Sequence, residues 1–236
     1  MNQHTVKAYD DELILLNKQI FQMGGLAEML LAQAFDALQK RDPALSEEVI
    51  ERDQEIDELQ RSIEEHALGM IARRQPVAND LRHIMASLRV AADLERIGDL
   101  AKNIAKRAKT IADQNIPRTL MSGLQHLNEL ALAQLSGVLN AYTELNEMAA
   151  IEIWEGDAKM DDTYNSIFRE MLTYMMEDPR NIGHCTHLLF VAKNLERIGD
   201  HATNIAENVV FMVRGEPLAD ERPRGDTTST TVLPQL

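Results

Sequence analysis

The chain has 236 residues, a formal net charge of −14 and one cysteine, and only 4% of its residues are aromatic. The negative charge argues against nucleic acid as a main partner, and the single cysteine, Cys185, excludes an internal disulfide. The composition favours long helices packed through Leu, Ile, Met and Ala.

Apolar residues at helical spacing, interrupted by breaks at proline and glycine, predict an all-α chain of six helices. The breaks include Asp42-Pro43, Gln75-Pro76, Ile116-Pro117, Glu155-Gly156-Asp157 and Asp178-Pro179. The predicted helices span 8–40, 43–74, 77–112, 117–149, 151–177 and 181–213. Gly156 is the weakest of these breaks, because a helix could begin on either side of it.

Helices three and six carry matching apolar stripes, which predict their core faces. The stripes are Val90, Leu94, Ile97, Ala101, Ile104 and Ala108, and Val191, Leu195, Ile198, Ala202, Ile205 and Val209. Short turns make sequential helices antiparallel, so the chain is predicted to form two tandem three-helix bundles. We place the first bundle at 1–113, the second at 114–214 and a disordered tail at 215–236.

The ends and the hydropathy of the chain predict a soluble cytoplasmic protein. The N-terminal residues are polar and acidic and do not have the form of a secretory signal. No apolar run approaches the roughly 20 residues that are needed to cross a bilayer.

A duplicated motif is the most informative feature of the sequence. The phrase Leu94-Glu95-Arg96-Ile97-Gly98-Asp99 returns 101 residues later, beginning at Leu195 and ending at Asp200. An acidic pair precedes each copy, Asp53 and Asp57 in the first half and Asp157 and Asp161 in the second. At i,i+4 spacing both carboxylates of a pair lie on one face of a helix.

The acidic pairs of each half are predicted to meet across an inter-helix turn. The midpoint of the first two pairs falls at Pro76, and that of the second two falls between Asp178 and Pro179. Carboxylate oxygens suit Mg²⁺, Ca²⁺, Mn²⁺ or iron. The sequence therefore predicts a metal site in each half, formed by Asp53, Asp57, Glu95 and Asp99, and by Asp157, Asp161, Glu196 and Asp200. The alternative is a solvated acidic face without a metal.

Several motifs in the same order resemble the PhoU family of bacterial phosphate-transport accessory proteins over about residues 8–213. These motifs are the duplicated phrase, the segment 71–82 with its Arg73-Arg74-Gln75-Pro76, and the segment 173–178. The resemblance implies two three-helix bundles with an acidic motif pair in each. It also implies metal clusters, of iron or zinc, on the eight acidic positions.

The resemblance further implies a negative regulator of the phosphate-starvation response. Such a protein acts as an adaptor between the ATPase of the phosphate ABC transporter and a sensor histidine kinase, often as a homodimer, and reaches the membrane only through its protein partners. No nucleophile with a nearby base and no glycine-rich nucleotide loop is recognisable, so we expect no enzymatic activity.

Two other interpretations stay open at the level of the sequence. One is a helical-bundle carboxylate-metal protein that stores metal or performs ferritin-like oxygen chemistry. Proteins of that kind use Glu-x-x-His pairs, which this chain does not match. The other is a structural dimerisation module, which leaves the duplicated motif unexplained.

Overall fold

The structure is a computed structural model, and it describes residues 2–218, with side chains from residue 9 onward. The α-helices are α1 (Asn2–Lys40), α2 (Pro43–Arg74), α3 (Asn79–Thr110), α4 (Arg118–Glu144), α5 (Glu147–Glu177) and α6 (Ile182–Arg214). A short 3-10 helix, Pro179–Asn181, precedes α6. The predicted all-α architecture of six helices is confirmed.

Local capping residues explain where the helices begin and end. Asp42 caps α2, because its carboxylate accepts hydrogen bonds from the backbone N–H groups of Ala44 and Leu45 at 2.9 and 3.1 Å. Pro43 follows at the first helical position, where its missing N–H has no cost. At its C-terminal end, α6 is capped by Gly215, whose φ of 84° is the left-handed conformation that favours glycine.

The prediction for the connection between α4 and α5 was wrong. The predicted spans 117–149 and 151–177 and the predicted break at Gly156 are replaced by a turn at Leu145 and Asn146. Leu145 adopts a left-handed conformation with a φ of 49°, and the side chain of Asn146 accepts a hydrogen bond from Ala149 N at 3.1 Å. Gly156 lies inside α5 on its exposed face, where the helix continues without interruption.

Helices α1–α3 form one bundle and α4–α6 form the other, and the predicted boundary at 113/114 lies in the connection between α3 and α4. The two bundles pack against each other through α3 on α6 and α1 on α4. All residues of the two predicted stripes are buried. They belong to a single apolar core that runs through both bundles.

A buried polar contact joins the bundles beside this core. The hydroxyl of Tyr142 on α4 donates to Asn17 Oδ1 on α1 at 3.0 Å and lies 2.8 Å from Ser87 Oγ on α3. Burial raises the pKa of Tyr142 to about 12, and the hydrogen bond with Ser87 opposes this rise. The phenol is therefore a neutral hydrogen-bonding link between the bundles.

Two further predictions concern solubility and the C-terminal tail. No helix within residues 2–218 is long and apolar enough to span a membrane. Of the predicted tail 215–236, residues 219–236 lie outside the described residues. The part that is described includes Leu218, which packs against the core.

Candidate functional site

The first acidic cluster consists of Asp53 and Asp57 on α2 and Glu95 and Asp99 on α3. Asp53 is buried, with 4% of its surface exposed, and the other three are half-buried. The prediction that these two pairs meet across the turn at Pro76 is confirmed, since Asp53 and Asp99 bind the same ammonium group.

That ammonium belongs to Lys102, one turn after Asp99 on α3. Its Nζ donates to Asp53 Oδ2 at 2.5 Å and to Asp99 Oδ1 at 3.2 Å, so it links α2 to α3. Arg96 lies on the outer side of the cluster, 3.4 Å from Glu95 and 3.5 Å from Asp99, with 61% of its side chain exposed. It forms an exposed ion pair of the kind that contributes little to stability.

The electrostatics of the cluster favour the protonated form of each group whose pKa shifts. Burial raises the pKa of Asp53, and the charges of Asp99 and Asp57 raise it further, while the hydrogen bond from Lys102 lowers it. Burial also raises the pKa of Glu95, together with the charges of its acidic neighbours. The hydrogen bond to Asp53 raises the pKa of Lys102, so its ammonium stays charged at neutral pH.

Glycine allows α2 and α3 to approach closely at this cluster. A Cβ placed on Gly98 would lie 2.6 Å from Ile56 Cδ1 and 3.4 Å from Asp53 Oδ1. In the second bundle, a Cβ on Gly199 would lie 2.8 Å from Gln134 Oε1 and 3.3 Å from Asp157 Oδ1. The glycine of each duplicated phrase therefore lies directly against the buried aspartate of the opposing helix.

The second acidic cluster consists of Asp157 and Asp161 on α5 and Glu196 and Asp200 on α6. Three of its members are buried, Asp157, Asp161 and Glu196, which are 2%, 4% and 4% exposed, whereas Asp200 is half-buried. Gln134 Nε2 on α4 donates to Asp157 Oδ1 at 3.4 Å. Asp157 lies against Gly199, the residue directly before Asp200 on α6.

The lysine of the second cluster occupies a different position in the motif. Lys193 lies one turn before Glu196, and its Nζ is 2.7 Å from Glu196 Oε1. The position that corresponds to Lys102 is occupied by the fully buried Thr203, whose hydroxyl donates to the carbonyl of Asp200 at 2.7 Å. The lysine thus follows the duplicated phrase in the first bundle and precedes it in the second.

Neither cluster, as its side chains lie, fits a metal ion. The carboxylates are suitable donors for a hard cation. However, no group of three His, Cys, Asp or Glu side chains within residues 9–218 is arranged to hold one. In the first cluster an ammonium already bonds both Asp53 and Asp99. Metal binding by the eight carboxylates stays a prediction.

Sequence reasoning missed a contact between the bundles at the same level as the clusters. His201 Nδ1 on α6 lies 2.9 Å from Asp93 Oδ1 on α3, and Asn204 Nδ2 donates to the same oxygen at 3.2 Å. The amide nitrogen of Asn204 therefore bonds α6 to the first bundle. The sequence signal for this contact was the carboxylate of Asp93, which lies directly before the duplicated phrase.

A cavity of about 780 Å³ lies beside this contact, between α3 and α6. Its wall contains Arg89 and Arg96 together with Asp93 and Glu207. Glu95 of the first acidic cluster also lines it, so the wall carries charges of both signs.

Comparison with known proteins identifies the family. The PhoU domain matches this chain twice, at residues 20–108 and 124–209, which are the two bundles. The chain belongs to the PhoU family. It is 54% identical over 227 residues to the phosphate-specific transport system accessory protein PhoU homolog of Rhizobium meliloti (strain 1021), covering 96% of each chain. It is 48% identical to the homolog of Caulobacter vibrioides, covering 97% of this chain and all of that one.

Solved structures agree with this PhoU assignment. The crystal structure of PhoU from Pseudomonas aeruginosa superimposes with a TM-score of 0.85 at 36% identity, covering 88% of this chain and 100% of that one. The phosphate transport system regulatory protein PhoU from Streptococcus pneumoniae gives a TM-score of 0.83 at 28% identity, covering 89% and 99%. The predicted family and fold are therefore both confirmed.

Proposed function

We propose that this chain is an accessory protein of a phosphate-specific transport system and a negative regulator of the phosphate-starvation response. The observation that carries the proposal is the 54% identity over 96% of both chains with a relative that bears the accessory-protein name. When phosphate is plentiful, the chain would favour the phosphatase state of the sensor kinase and restrain uptake.

An adaptor needs surfaces that bind other proteins, and the outer face of α1 supplies one. Ile14 and Phe21 lie two turns apart on that helix, with 65% and 58% of their surfaces exposed. Exposed apolar side chains that share a face are typical of protein contacts. The net charge of −14 suits partners with basic patches. The proposed partners are the transporter ATPase, the sensor kinase and a second copy of the chain.

The first test is alkaline phosphatase activity in phosphate-replete cells of the native host, with and without this chain. High activity in its absence, returning to low activity when the gene is restored, is the expected result of losing a repressor. Unchanged activity would remove the regulatory role, although the family and the fold would stand.

A second test separates an adaptor from an indirect regulator. The double variant Ile14→Asp, Phe21→Asp should fold, lose repression and no longer co-purify with the ATPase or the kinase. Leu68→Asp is the matched control, since this exposed α2 residue is 62% exposed and lies outside the proposed contact. Full repression by a chain that binds neither partner would contradict the adaptor role.

Metal binding is not a step in this proposal. The variant Asp99→Asn, Asp200→Asn changes one carboxylate in each cluster, and full repression by a variant that binds no metal would show that regulation does not need one. No contact among the described residues favours ferritin-like oxygen chemistry over regulation.

A further inference from the structure

We infer that Lys102 serves as the built-in cation of the first acidic cluster. The wild-type chain therefore binds no divalent cation at this cluster, and removal of the Lys102 ammonium frees the oxygens of Asp53 and Asp99, with those of Asp57 and Glu95 beside them, for a divalent cation. This inference is independent of the regulatory role.

The first argument is geometric. The Lys102 ammonium bonds one carboxylate from each of the two helices, at 2.5 Å to Asp53 and 3.2 Å to Asp99. A divalent cation coordinated by the same two oxygens would lie about 2.0–2.6 Å from each of them. Ion and ammonium would then compete for the same oxygens at short range, so only one of them can be bound there.

The second argument concerns charge and burial. Asp53 is 4% exposed, and a buried carboxylate is costly unless a positive charge accompanies it. Lys102 is tethered by its own helix and always present, whereas a free ion must be captured from solution. The tethered ammonium therefore supplies the positive charge that the buried Asp53 needs, without an ion from solution.

The third argument comes from the internal repeat. Both copies of the phrase contain an arginine, Arg96 in the first and Arg197 in the second. The copies differ three residues after the phrase, where the first has Lys102 and the second has Thr203. The fold therefore does not require a lysine there. Lys193 meets the second cluster at Glu196, the opposite end of the motif. The ion pairs that occupy Asp53 and Asp99 therefore depend on the residue at position 102.

The test is a Mn²⁺ titration of chelator-treated full-length chain at pH 7, with bound and free ion measured by electron paramagnetic resonance. Lys102→Met should bind one more Mn²⁺ per chain than the wild type. Lys102→Arg, which keeps the charge, should match the wild type. Lys109→Met should also match it, because Lys109 is another α3 lysine, and it pairs with the exposed Glu47 outside the cluster.

The extra ion must be located, and adding Asp99→Asn to Lys102→Met should remove it. Circular dichroism establishes that each variant is folded. The inference is overturned if Lys102→Met and the wild type bind equal amounts of Mn²⁺. It is also overturned if Asp53→Asn lowers the number of ions bound by the wild type, because the cluster would then hold a metal in the presence of Lys102.

A measurement on the wild type decides the matter even if Lys102→Met does not fold. The nitrogen-15 signal of the Lys102 ammonium, assigned by its loss in Lys102→Arg, should keep its intensity as Mn²⁺ is added. Broadening of this signal at stoichiometric Mn²⁺ that is lost in Asp57→Asn would place the ion at the first cluster, and that result would refute the inference.

Discussion

The close approach of α2 and α3 can be tested by adding a single methyl group. Gly98 lies inside α3, and the Cβ of an alanine there would meet Ile56 Cδ1 at 2.6 Å. Ile56 is fully buried, so it cannot move away without displacing other core residues. Gly156 lies inside α5, and a Cβ there would meet nothing within 4 Å. The substitution Gly→Ala is therefore chemically identical at the two sites and differs only in the space available.

The expected free energies of unfolding follow from two opposing effects. Alanine in a helix interior is about 0.5–1 kcal/mol more favourable than glycine. Gly156→Ala should gain this full amount. Overpacking a core costs about 1–3 kcal/mol, so Gly98→Ala should lie between no change and a loss of about 2.5 kcal/mol. The two variants should thus differ by about 1–3 kcal/mol.

Urea denaturation of the two variants and the wild type measures this difference directly. For a chain of this size, thermal unfolding should shift by about 2–4 °C for each kcal/mol. Gly199→Ala is a second test of close packing, because its Cβ would lie 2.8 Å from Gln134 Oε1 and 3.1 Å from Met160 Cε. If Gly98→Ala stabilised the chain as much as Gly156→Ala, the reasoning on helix approach would be refuted.

Three further predictions concern charge, a buried hydroxyl and a helix cap. Glu95→Gln should raise the free energy of unfolding at pH 7, by about 0.2–0.5 kcal/mol for the like-charge pair with Asp99 alone. Because the folded state raises the pKa of Glu95 above its ordinary 4.5, this gain should disappear as the pH falls below that value. Tyr142→Phe should cost about 0.5–1.5 kcal/mol in urea denaturation, since it removes the hydroxyl that links the bundles. Asp42→Ala should cost about 1 kcal/mol through loss of the α2 cap, measured in the same way.

Each of these predictions has a control and a contrary outcome. Glu51→Gln changes an exposed α2 carboxylate and should have little effect, and a gain from Glu95→Gln that persists at pH 4 would contradict the charge argument. Tyr174→Phe removes an exposed hydroxyl bond to Thr119, so an equal cost for both tyrosines would contradict the importance of burial. For the α2 cap, Asp42→Asn should retain most of the stability, because asparagine also caps helices.

The sequence predicted most of this fold because its signals are local. The breaks at Pro43, Pro76 and Pro117 lie at real helix boundaries, since proline cannot continue a preceding helix. The boundary between α4 and α5 was missed because Leu145 adopts a left-handed conformation, which a leucine in the sequence does not indicate. Gly156 indicated a break that does not exist, because a single glycine only lowers helix stability and its neighbours continue the helix.

The sequence by itself also determined that the acidic pairs of the first half meet, because equal spacing from a turn places them at the same height on antiparallel helices. Only the tertiary structure decided which groups neutralise them. Lys102 is one of eight lysines in the sequence, and its pairing with Asp53 depends on how α2 and α3 are rotated against each other. Its pairing with Asp99, like that of Lys193 with Glu196, is an i,i+3 contact within one helix. The pairing of His201 with Asp93 likewise requires α6 to pack on α3, a contact between residues that are distant in the chain and share no local pattern.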